Sequence, residues 1–334
     1  MLLIFVDYMQ MIIISHIADL DGITSAALIM QRYGIKKENV MFADYSVNRL
    51  LWIEKQIKKK IQKNTTLFIT DIGTNASTIG IFSRIITFVK QSGGKVFWFD
   101  HHTWSNDSVE KLASKCDIAV VGENKLFCAA EITAAELELN DAFTKKLIRI
   151  VHMSDFNIKP KDKYSEEIIK SYVLSTTYYS SLNLAAYEKK TRLIAEQISN
   201  GVLIPKFIIA DSRKFEKINS NRLKTLKKNI IADQIIALGF SKYVSTNDAC
   251  ACILDSTGVD IGVYLNTETS KCHLRSKIND CSLLAQTFGG GGHPYASGFE
   301  VNKDLYNVKT ISGRKKLFKD MLKVSENLYN SSKA

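Results

Sequence analysis

Short apolar runs alternate with longer amphipathic stretches through the first half of the chain. Residues 11–15, 40–43, 67–70, 95–99 and 118–121 are brief, rich in β-branched and aromatic residues, and bounded by polar residues or glycine, which is the pattern of buried strands. Between them, residues 25–33, 49–62, 77–91 and 129–139 carry helical periodicity. Strand and helix in alternation predict an α/β domain whose parallel sheet is covered by helices on both faces. From Asp141 to about Asn200 the pattern is helical throughout, and Gly201 and Pro205 then punctuate it before a basic helical stretch at 213–228. Beyond Leu238, strands are expected at 249–254, 262–265 and 271–275, followed by a helix, a glycine cluster and a final helix near 314–328. This reads as a smaller α+β unit. The pattern therefore divides the chain into an N-terminal domain over 1–200, a connector with a basic helix over 201–237 and a C-terminal domain over 238–334.

Length and composition agree with this picture. At 334 residues the chain exceeds one ordinary domain of ~100–200 residues. With 46% hydrophobic and 24% charged residues it reads as globular rather than disordered, collagen-like or membrane-spanning. The formal charge of +11 favours an anionic partner, nucleic acid or nucleotide before a membrane. Lysines at 55, 58, 59 and 60, and at 214, 217, 224, 227 and 228, recur at helical spacing and read as solvated faces. None of the six cysteines forms a C-x-x-C pair, so they read as reduced core thiols, with Cys250 and Cys252 sharing one face of the strand expected at 249–254. The apolar opening of the chain lacks a basic region, contains Asp7 and runs straight into His16, which is not the pattern of a signal peptide. Residues 1–10 are expected to be dispensable. No apolar stretch reaches the ~20 residues of a membrane span, and the expected location is the cytoplasm.

Candidate chemistry gathers where predicted strands end. His16, Asp19 and Asp21 follow the first strand, Asp71 the third and Asp100-His101-His102 the fourth. In an open parallel sheet, ligands bind beyond the carboxyl ends of the strands, so these residues are expected to converge. Asp155, at the end of a predicted helix, is a fourth candidate, whereas His152 reads as structural. Carboxylates mixed with imidazoles suit Mn²⁺, Mg²⁺, Zn²⁺ or Fe²⁺ and not a thiolate-bound structural zinc. Six candidate ligands exceed what one catalytic ion needs, and two ions ~3.5–4 Å apart would share a carboxylate, for which Asp71 is the natural choice.

A second constellation lies near the C-terminus. Arg275 and Ser276 end a predicted strand and offer a forked guanidinium with a hydroxyl, a pair suited to phosphate. Gly289-Gly290-Gly291-Gly292-His293-Pro294 would let backbone amides approach an anion, with Pro294 opening a helix whose N-terminus faces it.

Together these motifs resemble the DHH phosphoesterase family, specifically members with the DHH-associated C-terminal domain such as the nanoRNase-type oligoribonucleases. Asp100-His101-His102 is similar to the motif that names the family, His16-Ile17-Ala18-Asp19-Leu20-Asp21-Gly22 to its first motif, Asp71 to its second and Asp155 to its fourth. Gly290-Gly291-Gly292-His293-Pro294-Tyr295-Ala296-Ser297-Gly298 is similar to the signature of the C-terminal domain. The resemblance implies two divalent ions, Mn²⁺ first and Mg²⁺ as the alternative. One would lie on His16, Asp19 and Asp71, the other on Asp21, Asp71, His101 and Asp155. It further implies His102 facing the phosphate, Asp100 orienting the histidine pair, and Arg275, Ser276, Gly290, Gly291, Gly292 and His293 holding one end of the substrate. The implied activity is hydrolysis of short single-stranded oligonucleotides such as pApA to nucleoside monophosphates. Cyclic-dinucleotide cleavage and 3′-phosphoadenosine 5′-phosphate hydrolysis are the alternatives within the same chemistry, and a catalytically silent nucleotide sensor the alternative outside it. No membrane partner is implied, and a homodimer is left open.

Overall fold

The computed structural model describes residues 10–74, 77–102, 104, 110–121 and 126–329, the side chain of His293 excepted. Residues 1–9 of the extension expected to be dispensable lie outside the described residues. Gln10 does not: its carbonyl accepts from Thr66 N at 2.8 Å and its side chain from Thr65 Oγ1 at 2.9 Å. The chain divides into two compact units, Met1–Arg213 and Lys214–Ala334. Among the described residues no helix is long and apolar enough to cross a membrane.

In the first unit β1 (Met11–His16), β2 (Val40–Ala43), β3 (Thr66–Thr70), β4 (Lys95–Phe99) and β5 (Ile118–Val120) lie in the order β2-β1-β3-β4-β5, each pair parallel. Alternate residues of each strand face opposite sides, and each side finds its own core. Ile13, Phe42, Phe68 and Phe99 pack with α1 (Leu20–Tyr33), α4 (Ala129–Glu136), α5 (Ala142–Asp155), α6 (Lys163–Ser180) and α7 (Leu184–Ser199). Ile12, Ile14, Leu67, Ile69 and Trp98 pack instead with α2 (Val47–Lys60) and α3 (Ile79–Gln91). A sheet buried on both faces is why these strands read as unbroken apolar runs.

Among the described residues the outer edge of β2 has no partner strand, and side chains take its place. Arg49 Nε and Nη2 donate to the Phe42 carbonyl at 2.8 and 2.6 Å, and Arg192 Nε donates to that of Val40 at 2.8 Å. Both arginines meet Glu188 Oε1 at 2.7 Å. Strand edges left open invite pairing with other chains, and this network closes one.

The basic helix α8 (Lys206–Lys227) contains the division between the units. Within the stretch 201–237, β6 (Ile230–Ala232) and the start of β7 (Ile236–Ser241) already belong to the second sheet. That sheet continues with β8 (Ile261–Asn266), β9 (Lys271–Ser276), β10 (Gly291–His293) and β11 (Ala296–Glu300) in the order β10-β11-β9-β8-β7-β6. Only β7 and β8 run parallel, joined by α9 (Thr246–Thr257). Helices α10 (Cys281–Thr287) and α11 (Ile311–Tyr329) contribute to the core on one side of the sheet, α8 and α9 to that on the other.

Two expectations are corrected here. Residues 249–254 form part of helix α9, not a strand. Ala249, Cys250, Ile253 and Leu254 are buried, an i, i+1, i+4, i+5 stripe, and Gly258 at φ 73° closes the helix. A run of six apolar-rich residues has no periodicity that separates a buried helix from a strand, and the capping glycine decides it. Accordingly Cys250 is buried while Cys252 is half-exposed, so the two do not share a face. The glycine cluster, in turn, does not lead into a helix. His293 pairs with Ala296, which makes Pro294 and Tyr295 the loop of a β10–β11 hairpin. The glycines serve that hairpin: a Cβ on Gly290 would lie 2.1 Å from the Gly298 carbonyl oxygen, and Gly292 sits at φ 133°.

Candidate metal centre

The order β2-β1-β3-β4-β5 places its switch point between β1 and β3, where open parallel sheets bind ligands beyond the carboxyl ends of their strands. His16 is the last residue of β1, Asp71 follows β3, and Asp100 follows β4. Asp19 caps helix α1, accepting from Gly22 N at 3.1 Å, and Asp21 lies in its first turn. The helix starts this close to the strands because residue 22 is glycine: a Cβ there would lie 2.5 Å from the His16 carbonyl oxygen and 3.0 Å from Asp71 Oδ2. Asp155 arrives from the last residue of α5.

These side chains form three groups whose ligand atoms lie within 4.8 Å of one another: His16, Asp19 and Asp71; Asp21, His101 and Asp155; and Asp71, His101 and His102. The two oxygens of Asp71 face different neighbours. Oδ2 lies 3.5 Å from His16 Nδ1, whereas Oδ1 lies 3.6 Å from His101 Nε2 and 3.9 Å from His102 Nδ1. His101 Nε2 is also 3.7 Å from both Asp21 Oδ2 and Asp155 Oδ2. These separations are too long for hydrogen bonds and approach the ~3.0–3.4 Å between atoms that share one ion at ~2.1 Å.

The charge balance fits cations. Burial raises the Asp21 carboxyl pKa well above its ordinary value, with the charges of Asp71 and Asp155 adding to it. Burial and the charge of Asp19 raise Asp71, and burial raises Asp155 against the pull of His101. Burial disfavours charge on His16 and His102 as well, yet Asp19 lifts His16 well above the imidazole range and Asp100 lifts His102 to about 9. Asp71 Oδ2 is buried without any hydrogen-bond partner, and His16 Nδ1, 2.8 Å from Asp19 Oδ2, makes no well-directed hydrogen bond. Such atoms are costly to leave unmet, and a divalent ion meets both. The donors are carboxylate oxygen and imidazole nitrogen with no thiolate, a set that suits Mn²⁺ and Mg²⁺.

Surrounding residues orient these groups. Asp100 Oδ1 holds His102 Nδ1 at 2.8 Å, and its Oδ2 accepts from Trp104 Nε1 at 2.7 Å and His102 N at 3.2 Å. Asp21 accepts from Ala129 N at 2.8 Å and Ala130 N at 2.7 Å, so the N-terminus of α4 grips both of its oxygens. Tyr45 Oη lies 3.4 Å from His102 Nε2 and accepts from Gly73 N at 3.4 Å. His152 Nδ1 pairs with Glu131 Oε2 at 2.8 Å and joins none of the three groups. Tyr45, Trp104 and the two alanine amides were not picked out from the sequence. Tyr45 is the second residue after β2, so the strand-end rule, applied to β2 too, finds it. A backbone amide carries no side-chain signal.

In the second unit Arg275 and Ser276 end β9, and Ala296 of the hairpin pairs with Arg275. Arg275 Nη1 donates to the Leu274 carbonyl and Nη2 to Asn247 Oδ1, each at 2.9 Å. Ser276 Oγ donates to Asp260 Oδ2 at 3.0 Å. Gly290 precedes β10, which holds Gly291, Gly292 and the backbone of His293; the His293 side chain lies outside the described residues.

No family model and no curated protein matches the chain. Solved structures do. A DHH domain described as a member of the s1p family of ribosomal proteins is 14% identical over 94% of this chain and 86% of its own, with a TM-score of 0.59. The pGpG-specific phosphodiesterase PggH of Vibrio cholerae is 12% identical over 94% and 98%, with a TM-score of 0.54. RecJ from Thermus thermophilus, in complex with Mn²⁺, is 14% identical over 94% of this chain and 52% of its own, with a TM-score of 0.53.

Proposed function

Starting from the DHH-domain fold of this chain, we propose that it is a metal-dependent phosphodiesterase that hydrolyses short oligonucleotides, pApA and its like, to nucleoside monophosphates. The observation that carries this reading is Asp71, whose two oxygens face separate groups of ligands. His16, Asp19 and Asp71 would hold one divalent ion, and Asp21, Asp71, His101 and Asp155 a second, Mn²⁺ before Mg²⁺. Such a pair would neutralise charge developing on the phosphoryl oxygens and supply a nucleophile at neutral pH. His102, protonated through its contact with Asp100, offers a hydrogen bond to a phosphoryl oxygen. Beyond its bonds to Leu274 and Asn247, Arg275 keeps guanidinium N–H groups to meet a terminal phosphate. The manganese complex of RecJ supports the choice of metal, and the pGpG substrate of PggH supports a nucleotide phosphodiester over other phosphate esters.

The test is to incubate the purified protein with Mn²⁺ and, separately, with pApA, pGpG, longer RNA and DNA oligomers, cyclic di-AMP, 3′-phosphoadenosine 5′-phosphate and pyrophosphate, resolving products over time. Monophosphates are expected fastest from the linear dinucleotides, and EDTA should stop the reaction. Faster turnover of any other substrate would replace the proposed one, and turnover of none would overturn the proposal.

A further inference from the structure

The register of the second sheet separates its two ends. Arg275 and Ser276 lie opposite Gly262 and Ile261, whereas Ser241, Asn266 and Lys271 face one another at the other end. Five residue steps along β8, ~17 Å at ~3.3 Å each, lie between them. At the end away from Arg275 is a cavity of about 290 Å³ whose lining includes Arg222, Asn229, Phe240, Ser241, Lys242 and Arg314.

The two guanidiniums there are fixed in place without a carboxylate. Arg222 Nη1 donates to the Tyr243 carbonyl. Arg314 Nε and Nη2 donate to the carbonyls of Val308 and Lys309 at 2.6 and 3.1 Å, and its guanidinium carbon lies 4.5 Å from the centre of the Phe240 ring. Neither arginine has a carboxylate within ion-pair distance among the described residues, and Lys242 has only an exposed contact with Glu268 at 3.3 Å. Carbonyls hold a guanidinium without neutralising it. Burial already pulls the Arg314 pKa down, so this charge is partly desolvated and lacks a counter-ion.

We propose that this cavity is a second anion site, which binds a phosphoryl group, either free phosphate or the terminal phosphate of a small nucleotide. Each guanidinium has five N–H donors. The contacts above use one of Arg222 and two of Arg314, so most of the fork remains for an acceptor. Phosphate carries up to two charges and several acceptor oxygens, and it matches paired guanidiniums better than a carboxylate does. The volume lies just below the ~300–1,000 Å³ of small-molecule sites, which suits a phosphoryl group or a small phosphorylated molecule and not a protein segment. Residues 214–334 hold 18 Lys and Arg against 11 Asp and Glu, a net +7 of the chain's +11, and this surplus raises the local concentration of anions.

Isothermal titration of the full chain with inorganic phosphate, AMP and acetate tests this. In wild type, phosphate or AMP should bind and acetate should not. Arg222→Gln and Arg314→Gln should each weaken phosphate or AMP by about 10-fold, the loss of one charge-assisted contact. Equal affinities for phosphate and AMP would identify free phosphate as the ligand, and tenfold tighter AMP a nucleotide. Anions held at the metal centre or at Arg275 are untouched by these substitutions, so the difference from wild type isolates the cavity. Should Arg314→Gln fail to fold, Arg222→Gln combined with Lys242→Gln carries the same test. A folded double variant whose isotherms match wild type for both ligands overturns the proposal.

Discussion

In the first unit four aspartates and three histidines crowd the ends of a parallel sheet; in the second, Arg275 stands at one end of a mixed sheet and Arg222 and Arg314 at the other. The two arrangements are built differently. A cation site needs particular side chains on particular strand ends, and its ligands repel one another until the cation arrives. An anion site can draw on any arginine, lysine or backbone amide, and its charges are already held apart by carbonyls. On the proposed reading the first unit would depend on a bound cation for its electrostatic balance, whereas the second would not.

The largest effect should come from Asp71→Ala, which removes the carboxylate that faces two ligand groups. Activity on every substrate should drop below about 1% and Mn²⁺ binding should weaken throughout; a variant retaining several per cent of turnover would refute the bridging role. Arg275→Ala probes the other side of the comparison. The kcat/KM on a dinucleotide should fall about 10–150-fold, the loss of a charge-assisted contact of roughly 1.5–3 kcal/mol. Bis(p-nitrophenyl) phosphate, which lacks the recognised end, should be cleaved nearly as by wild type. Equal losses on both esters would make Arg275 a support of the fold.

Next in size is Asp100→Asn, which keeps the shape but takes away the charge that holds His102 and accepts from Trp104. Activity or metal affinity should fall about 10–100-fold with the fold intact. Wild-type kinetics would show that His102 needs no such anchor.

The smallest effect separates the units by pH. In the metal-free protein Asp21, Asp71 and Asp155 have raised carboxyl pKa values, and those of His16 and His102 are raised too. The folded chain thus holds more protons than the unfolded one, so stability is greatest in mild acid and declines as pH rises through the raised values, up to about 9 for His102. Asp19, shifted downward by His16 against the effect of burial, matters only in stronger acid. Melting temperature after EDTA treatment should fall from about pH 5 to about pH 9, and the gain from Mn²⁺ should grow over the same range, because the metal replaces protons. A flat metal-free profile would mean that the carboxylates are less crowded than their distances suggest.

The same contrast explains what could be read in advance. The strands β1 to β4 were legible because a sheet buried on both faces leaves apolar runs, β5 because it is apolar although half-exposed, and the chemistry was legible because His16, Asp71 and Asp100 sit at the ends of those runs. In the second unit the expected strand at 249–254 is a helix, and β6, β7, β10 and β11 were not separately marked. β6 and β10 are only three residues long, β11 is partly exposed and holds a glycine, and β7, buried at all six positions, is a brief apolar run without periodicity. Tyr45, Trp104 and the amides of Ala129 and Ala130 escaped for another reason. They act by direction and distance, which only the folded chain supplies. The arginines around the cavity of the second unit were invisible among 45 basic residues.

Asp71 has a left-handed backbone, φ 54°, a region that most L-residues avoid, that aspartate and asparagine tolerate and that glycine enters freely. It is also a buried acid among other acids. A library screened for heat resistance without metal should therefore enrich replacements at this position early, with Asn and Gly ahead of Ala. The survivors would be sturdy and inert, so the residue that selection for toughness discards first would mark the one that selection for turnover must keep.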